Sequence, residues 1–311
     1  MTTLFLTHPI FLRHDTGPGH PERAARLEAV TRALEGVSFV PLHRAQADKA
    51  SREDLLRVHD RAYVEGVFAR MPAKGVVHLD PDTVISPQSG ESALFAVGAV
   101  MQGVDAVLAG RADNAFCAVR PPGHHSEPGR AMGFCLFNNI AVGALYALEH
   151  EGVARVAIVD FDVHHGNGSE TVARGRADLF YASSHQSPAY PGTGRADDHG
   201  PLGNILNVEL PPGTGSAAFR AAYVDKILPA VAAFAPDMIL LSAGFDGHGR
   251  DPLAAHDLSA DDYAWLTGEL CALAGRCCSG RIVSVLEGGY DLEALGASVA
   301  AHVGGLMGAG D

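Results

Sequence analysis

The sequence lacks a paired-cysteine framework. Its five cysteines, Cys117, Cys135, Cys271, Cys277 and Cys278, are odd in number and form no C-x-x-C pair. They read as reduced thiols, which points to a cytoplasmic protein. Long apolar runs are lacking too, since none approaches the roughly 18 uninterrupted residues of a membrane helix. The opening stretch Met1–Ile10 has neither the basic start nor the apolar run of a secretory signal. Positive charge is scarce: 23 Lys and Arg stand against 36 Asp and Glu, a formal net charge of −13. Such a surface repels phosphate backbones and anionic lipid, so neither nucleic acid nor a membrane is expected as partner. The P-loop pattern G-x-x-x-x-G-K-[ST] and the nucleophile elbow G-x-S-x-G are absent, and Gly192–Gly194 opens no G-x-G-x-x-G fingerprint. P-loop, serine-hydrolase and dinucleotide-binding chemistries are thereby set aside.

What the 311 residues do contain is 47% hydrophobic residues, 36 Gly and an unusual 16 His. Strand-like apolar runs occur at Asn114–Val119, Val153–Val159, Asp178–Ala182, Asn204–Leu210, Met238–Leu241 and Arg281–Leu286. They show little polar alternation, as expected of strands covered on both faces. Helix-period stretches lie between them. One starts at Pro21 and runs through Leu27, Val30 and Leu34. Another opens with a capping-box pair, Ser51 and Asp54, and continues through Val64, Val67 and Phe68. Others cover Glu91–Leu108, Asn139–Glu149, Ala217–Phe234, Ala260–Leu273 and Leu292–Leu306. Alternating strand and helix predicts an α/β fold with a parallel sheet between helical layers, here as one domain over 1–311.

Ligands of such sheets bind beyond the carboxyl ends of the strands. The segments there are Arg120–His125, Asp160–Gly168, Ser183–His185, Ser242–His248 and Glu287–Tyr290, and they carry most of the reactive side chains. Residues two apart on an extended chain point the same way, so Asp162 and His164 share a direction. With Asp246 from another strand they make two carboxylates and an imidazole, a set suited to a catalytic divalent ion such as Zn²⁺. A lone D-x-H is more often a loop cap; the His165-Gly166-Asn167-Gly168 continuation and Asp246 shift the balance to a metal site. His124 and His125 form a tandem pair in a Pro/Gly loop, suited to proton transfer beside the metal. Asp160 and Asn167 are available to fix their tautomers. A carboxylate raises its histidine's pKa and an amide does so much less, so the amide-paired ring is the one that rests neutral. Tyr290, after Gly288 and Gly289, can swing its phenol towards a developing oxyanion. Gly133, Phe134 and Tyr190 suit the walls of a narrow channel. The remaining histidines, among them His8, His14, His43, His59, His78, His150 and His302, read as surface or loop residues.

This motif set, including Gly19-His20-Pro21-Glu22-Arg23, resembles the zinc-dependent histone deacetylase family. It is most similar to the class II branch and its bacterial amidohydrolase relatives. The resemblance implies an arginase-deacetylase-like three-layer α/β/α domain with a central, mostly parallel eight-stranded sheet. It implies Zn²⁺ on Asp162, His164 and Asp246, with His124 paired to Asp160 and His125 to Asn167. His125 becomes the general base and then acid, His124 an electrostatic partner, and Tyr290 the transition-state phenol. Phe134 and Tyr190 line the lysine channel, with Tyr190 replacing the family's more usual Phe. A structural K⁺ or Na⁺ would use Asp160, Asp162, the His164 carbonyl, Ser183 and Ser184. Asp80 or Asp82 would be the acidic rim residue.

The implied activity is hydrolysis of the acyl amide of N-acetyl-lysine in peptides or proteins. The alternative is a small acylated amine such as an acetylpolyamine. In polyamine-selective relatives an acidic gatekeeper stands seven residues after the last metal ligand; here that place is Leu253. An arginase-like ureohydrolase would need a second Asp where Asp246-Gly247-His248 has His. A non-catalytic acyl-lysine-binding module would need neither His125 nor Tyr290. Relatives range from monomers to tetramers, which leaves a homo-oligomer open.

Overall fold

The computed structural model describes residues 1–308. Among the described residues ten strands occur: β1 (Thr3–Thr7), β2 (His43–Gln46), β3 (Val77–His78), β4 (Val84–Ile85), β5 (Asn114–Cys117), β6 (Val156–Asp160), β7 (Leu179–Gln186), β8 (Ile205–Leu210), β9 (Met238–Ala243) and β10 (Ile282–Leu286). Eight of them form one sheet in the order β2-β1-β5-β10-β9-β6-β7-β8, while β3 and β4 pair separately. Every neighbouring pair in the large sheet is parallel. All residues of β5, β6, β9 and β10 are buried, which accounts for their largely apolar character without polar alternation.

All six runs read from the sequence are strands of this sheet. The two extra strands are β1 and β2. β1 has only three consecutive apolar residues, Leu4–Leu6, set between threonines, and β2 has the sequence HRAQ with three exposed residues, the composition of a solvated edge.

The helices are α1 (Ala24–Ala33), α2 (Arg52–Leu55), α3 (Arg61–Ala69), α4 (Ser89–Leu108), α5 (Asn139–Ala147), α6 (Asn167–Ala173), α7 (Ser216–Ala222), α8 (Leu228–Phe234), α9 (Ala260–Cys277) and α10 (Leu292–Leu306). Ser51 and Asp54 do form a capping box. The helix expected from Ser51 through Phe68 is, however, two helices. The chain breaks between them so that buried His59 can accept from Asn138 N at 2.9 Å. The stretch Ala217–Phe234 is interrupted by a π-helical turn at Tyr223–Ile227. α4 is long and apolar enough to cross a membrane, although 67% of its most apolar window is buried inside the fold. Glu91, Gln102 and Asp105 interrupt its apolar run, so the run-length criterion passes over it.

Three histidines read as surface or loop residues are core. His302 lies between Thr267 Oγ1 (2.7 Å) and Ser284 Oγ (2.8 Å), with both ring nitrogens partnered. His14 and His59 are likewise buried, and burial holds both rings down to about 4. Polar partners make such burial affordable, and period alone does not reveal them.

Candidate active site

The strand order explains why the reactive residues meet. β5, β10, β9, β6 and β7 are consecutive in the sheet, and all five run the same way. Asp160 at the end of β6 is level with Ser183 on β7 and Ser242 on β9. Leu286 on β10 is level with Ala243 on β9. The chain segments leaving these ends therefore converge on one spot.

Asp162, His164 and Asp246 present ligand atoms within 4.8 Å of one another, and all three are buried. His164 Nδ1 lies 3.2 Å from Asp162 Oδ1 and 3.1 Å from Asp246 Oδ2. The carboxylates are aimed by backbone donors: Gly288 N to Asp162 Oδ2 at 2.8 Å and Val163 N to Asp246 Oδ1 at 3.0 Å. A Cβ on Gly288 would come within 2.1 Å of Asp246 Oδ2, so only glycine admits this approach. Burial opposes ionisation of both acids. The charges of His124 and His164 outweigh it at Asp162 and pull that carboxyl down, whereas the Asp162 charge adds to burial and pushes Asp246 up. Burial also works against a proton on His164, yet the two carboxylates raise it well above the usual imidazole value. Two acids crowded on one imidazole that retains its proton fit a divalent ion well, since the cation takes the place of that proton. Among the described residues this is the one such cluster, and His248 Nδ1 is engaged by Arg250 N at 3.1 Å.

The tandem histidines lie beside it with rings 4.0 Å apart and unequal partners. His124 Nδ1 is 3.0 Å from Asp160 Oδ2; His125 Nδ1 is 2.9 Å from Asn167 Oδ1. Burial would depress His124, but Asp160 and Asp162 overcome it and raise the ring to about 10. At His125 burial and the His124 charge act together and hold it well below the ordinary value. One ring is thus cationic and the other neutral near pH 7, as the pairing of carboxylate against amide dictates. Burial pushes the Tyr290 phenol up, so it stays a donor.

The walls follow. Phe134 packs edge-on to Tyr290 at 5.8 Å, and Tyr190 edge-on to His125 at 5.1 Å. Gly133 has φ of +58°, and a Cβ there would lie 2.3 Å from His125 Cδ2. Phe134 itself sits at φ of +67°, sparsely populated ground for an aromatic residue. Thr83 Oγ1 receives its N–H at 3.2 Å, and Asp82 Oδ1 receives that of Gly133 at 3.3 Å. Tyr190 and Leu253 are each 40% exposed.

Residues 20–306 match the family model described as the histone deacetylase domain. The chain belongs to the histone deacetylase family. It is 41% identical to the histone deacetylase-like amidohydrolase of Pseudomonas aeruginosa, over 92% of this chain and 77% of that one. It is 39% identical to the chloroplastic histone deacetylase 14 of Arabidopsis thaliana, over 93% and 73%. The crystal structure of the HDA15 HD domain superposes with a TM-score of 0.91 at 33% identity, covering 99% of this chain and 90% of that one. The fold is accordingly the arginase/deacetylase fold, and the chain is a histone deacetylase-family hydrolase.

In this family member some residues support the site through contacts that the sequence pattern does not reveal. Glu287 Oε2 accepts from Gly123 N (2.7 Å) and His124 N (3.2 Å), tying the Tyr290 loop to the histidine loop. Buried Arg26 donates to Gly289 O at 2.6 Å and lies 4.8 Å over the Tyr290 ring. Of the residues expected to hold a monovalent ion, Asp160 and Ser183 are level neighbours, whereas Ser184 Oγ pairs with Tyr223 OH at 2.8 Å. The π-helical turn supplies that tyrosine.

Proposed function

We propose that the protein is a zinc-dependent deacetylase that hydrolyses the acyl amide of N-acetyl-lysine side chains in peptides or proteins. The unequal histidine pair carries this reading: a neutral His125 within a buried, otherwise charged site is what a base-then-acid residue requires. Asp162, His164 and Asp246 would hold the ion. When bound, Zn²⁺ polarises an amide carbonyl and lowers the pKa of water towards about 7.

The chain's own residues do the rest. His125 Nε2 takes the proton of the attacking water, since its Nδ1 is committed to Asn167. The cationic His124 steadies the negative charge that builds on the amide oxygen. Tyr290 donates its phenolic proton in a hydrogen bond to that oxygen. His125 then passes its proton to the departing amine, and acetate is left. Phe134 and Tyr190 exclude water from the four-carbon lysine stem. Asp80 or Asp82 would be the acidic rim residue: Asp80 Oδ1 accepts from the amides of Asp82 and Thr83, and Asp82 Oδ1 from that of Gly133 beside Phe134. The monovalent-cation role of Asp160, Asp162, His164, Ser183 and Ser184 belongs to the same proposal, as does a cytoplasmic location.

Leu253 supports a peptide over an acetylated polyamine, because a second ammonium at the mouth would meet an apolar side chain. The test is amine release by the zinc-loaded protein from acetyl-lysine peptides, N-acetylputrescine and N-acetylspermidine, with His125→Ala as blank. Faster peptide turnover supports the reading. Faster polyamine turnover makes the protein a small-amine deacetylase, and silence on all three defeats the proposal.

A further inference from the structure

Tyr290 follows two glycines, and Gly289 has φ of +117°, so the backbone that aims the phenol has little stiffness of its own. On the carbonyl side of Gly289 the Arg26 guanidinium holds the chain at 2.6 Å. On the amide side a different residue does so. Asp251 lies in the loop after β9, five residues beyond Asp246, and its side chain is buried. Its Oδ2 accepts from Tyr290 N at 2.6 Å and from Asp291 N at 3.4 Å. Its Oδ1 accepts from Leu253 N at 3.0 Å. The Asp251 N–H is anchored in turn on His248 O at 2.8 Å.

We propose that Asp251 is the positioning residue for Tyr290, one carboxylate holding the phenol loop and the Leu253 segment of the channel mouth in fixed relation. This rests on the deacetylase reading above. An ionised acceptor on backbone amides makes a stronger, shorter bond than a neutral one, and two oxygens facing two loops leave each loop no independent freedom. Asp251 touches neither the water nor the amide; it acts through Tyr290. Its contribution should therefore vanish when the phenol is gone, which a purely structural residue's would not.

The test is a double-mutant cycle on the zinc-loaded enzyme with an acetyl-lysine peptide. D251N preserves volume but leaves one of the two loops facing an NH₂ group. Residues acting through one another give non-additive effects. The expected result is a kcat loss of roughly tenfold for D251N in the wild-type background and less than about twofold in the Y290F background. Equal losses in both backgrounds, or an unchanged kcat, overturn the proposal. D251E keeps the buried charge while displacing the oxygens, and serves the same cycle if D251N does not accumulate. A readout free of turnover is ¹⁹F NMR of protein labelled with 3-fluorotyrosine at its 7 tyrosines. The Tyr290 resonance is the one missing in Y290F. D251N should shift or broaden it; an unmoved line overturns the proposal. If the wild-type protein releases no amine, the deacetylase reading fails, and the resonance still judges Asp251.

Discussion

The Nδ1 of His125 lies 2.9 Å from the amide oxygen of Asn167, where its neighbour His124 faces a carboxylate. An amide orients the ring without adding charge, so burial and the adjacent cation keep His125 neutral. The first prediction concerns Asn167→Asp. A carboxylate 2.9 Å from the ring would favour the imidazolium and raise its pKa by about one unit or more. Activity requires the neutral ring, so the wild-type rate holds below pH 6.5 and falls only on further acidification. In the variant the acid limb of kcat/KM should move to higher pH. A pH–rate profile checks this, and an unmoved limb would assign the base elsewhere.

Tyr290→Phe removes one oxyanion donor and leaves the packing against Phe134 in place. Losing such a donor costs roughly 10²–10³ in kcat. The expectation is a kcat fall of that size with little change in KM and full metal content by mass spectrometry. Wild-type turnover in the variant would remove Tyr290 from the mechanism.

Much of this site was legible because its residues are tied to strand ends, and strand ends are marked by where apolar runs stop. Asp160, Asp162 and His164 follow one run, Asp246 another, and Glu287–Tyr290 a third. Strand order is what the pattern leaves open, and it is the order that puts β5, β10, β9, β6 and β7 side by side. The edge strand β2 escaped because a solvated edge has no apolar run. His14, His59 and His302 escaped because a partnered core histidine and a surface one look the same in one dimension. Asp251 and Glu287 act on backbone amides far away in sequence, at separations of 39 and 164 residues. Side-chain-to-backbone bonds of that kind leave no periodicity.

Metal uptake should release protons. His164 is raised well above the usual imidazole value by its two carboxylates, and burial with the Asp162 charge pushes Asp246 up. Both groups must give up whatever protons they hold to become ligands. Zn²⁺ affinity should thus weaken by about tenfold per pH unit for each proton released as pH falls. Calorimetry in buffers of different ionisation enthalpy measures the number. Binding independent of pH would contradict the assigned ligands.

Gly133→Ala tests how tightly the channel wall is fitted to the base. The added Cβ would sit 2.3 Å from His125 Cδ2, and φ of +58° strains any residue with a side chain. The backbone cost alone is of order 1–2 kcal/mol. The ring can yield only by leaving Asn167, so kcat should fall at least tenfold, an order-of-magnitude figure for a misplaced catalytic group. Denaturant titration and steady-state kinetics separate the two effects. A variant that loses stability but keeps kcat would show the wall, not the base, to be what moves.

Leu253→Glu asks whether one charge at the mouth resets the substrate. The Leu253 amide is fixed by Asp251 at 3.0 Å while its side chain is 40% exposed, so the backbone should tolerate the change. An acetylated polyamine carries a second ammonium along its chain, and in the wild-type mouth that charge loses water without gaining a partner. A carboxylate there supplies a charge-assisted hydrogen bond, worth roughly twice a neutral one and about 1.5–3 kcal/mol. At 1.4 kcal/mol per decade this is about ten- to a hundredfold in kcat/KM for N-acetylspermidine relative to an acetyl-lysine peptide, with the lower end expected for a partly exposed pair. The gain should shrink with added salt, because the partly exposed pair is screened. Competition assays at low and high ionic strength measure both quantities. If the ratio stays constant, channel shape rather than gatekeeper charge sets the choice of amine.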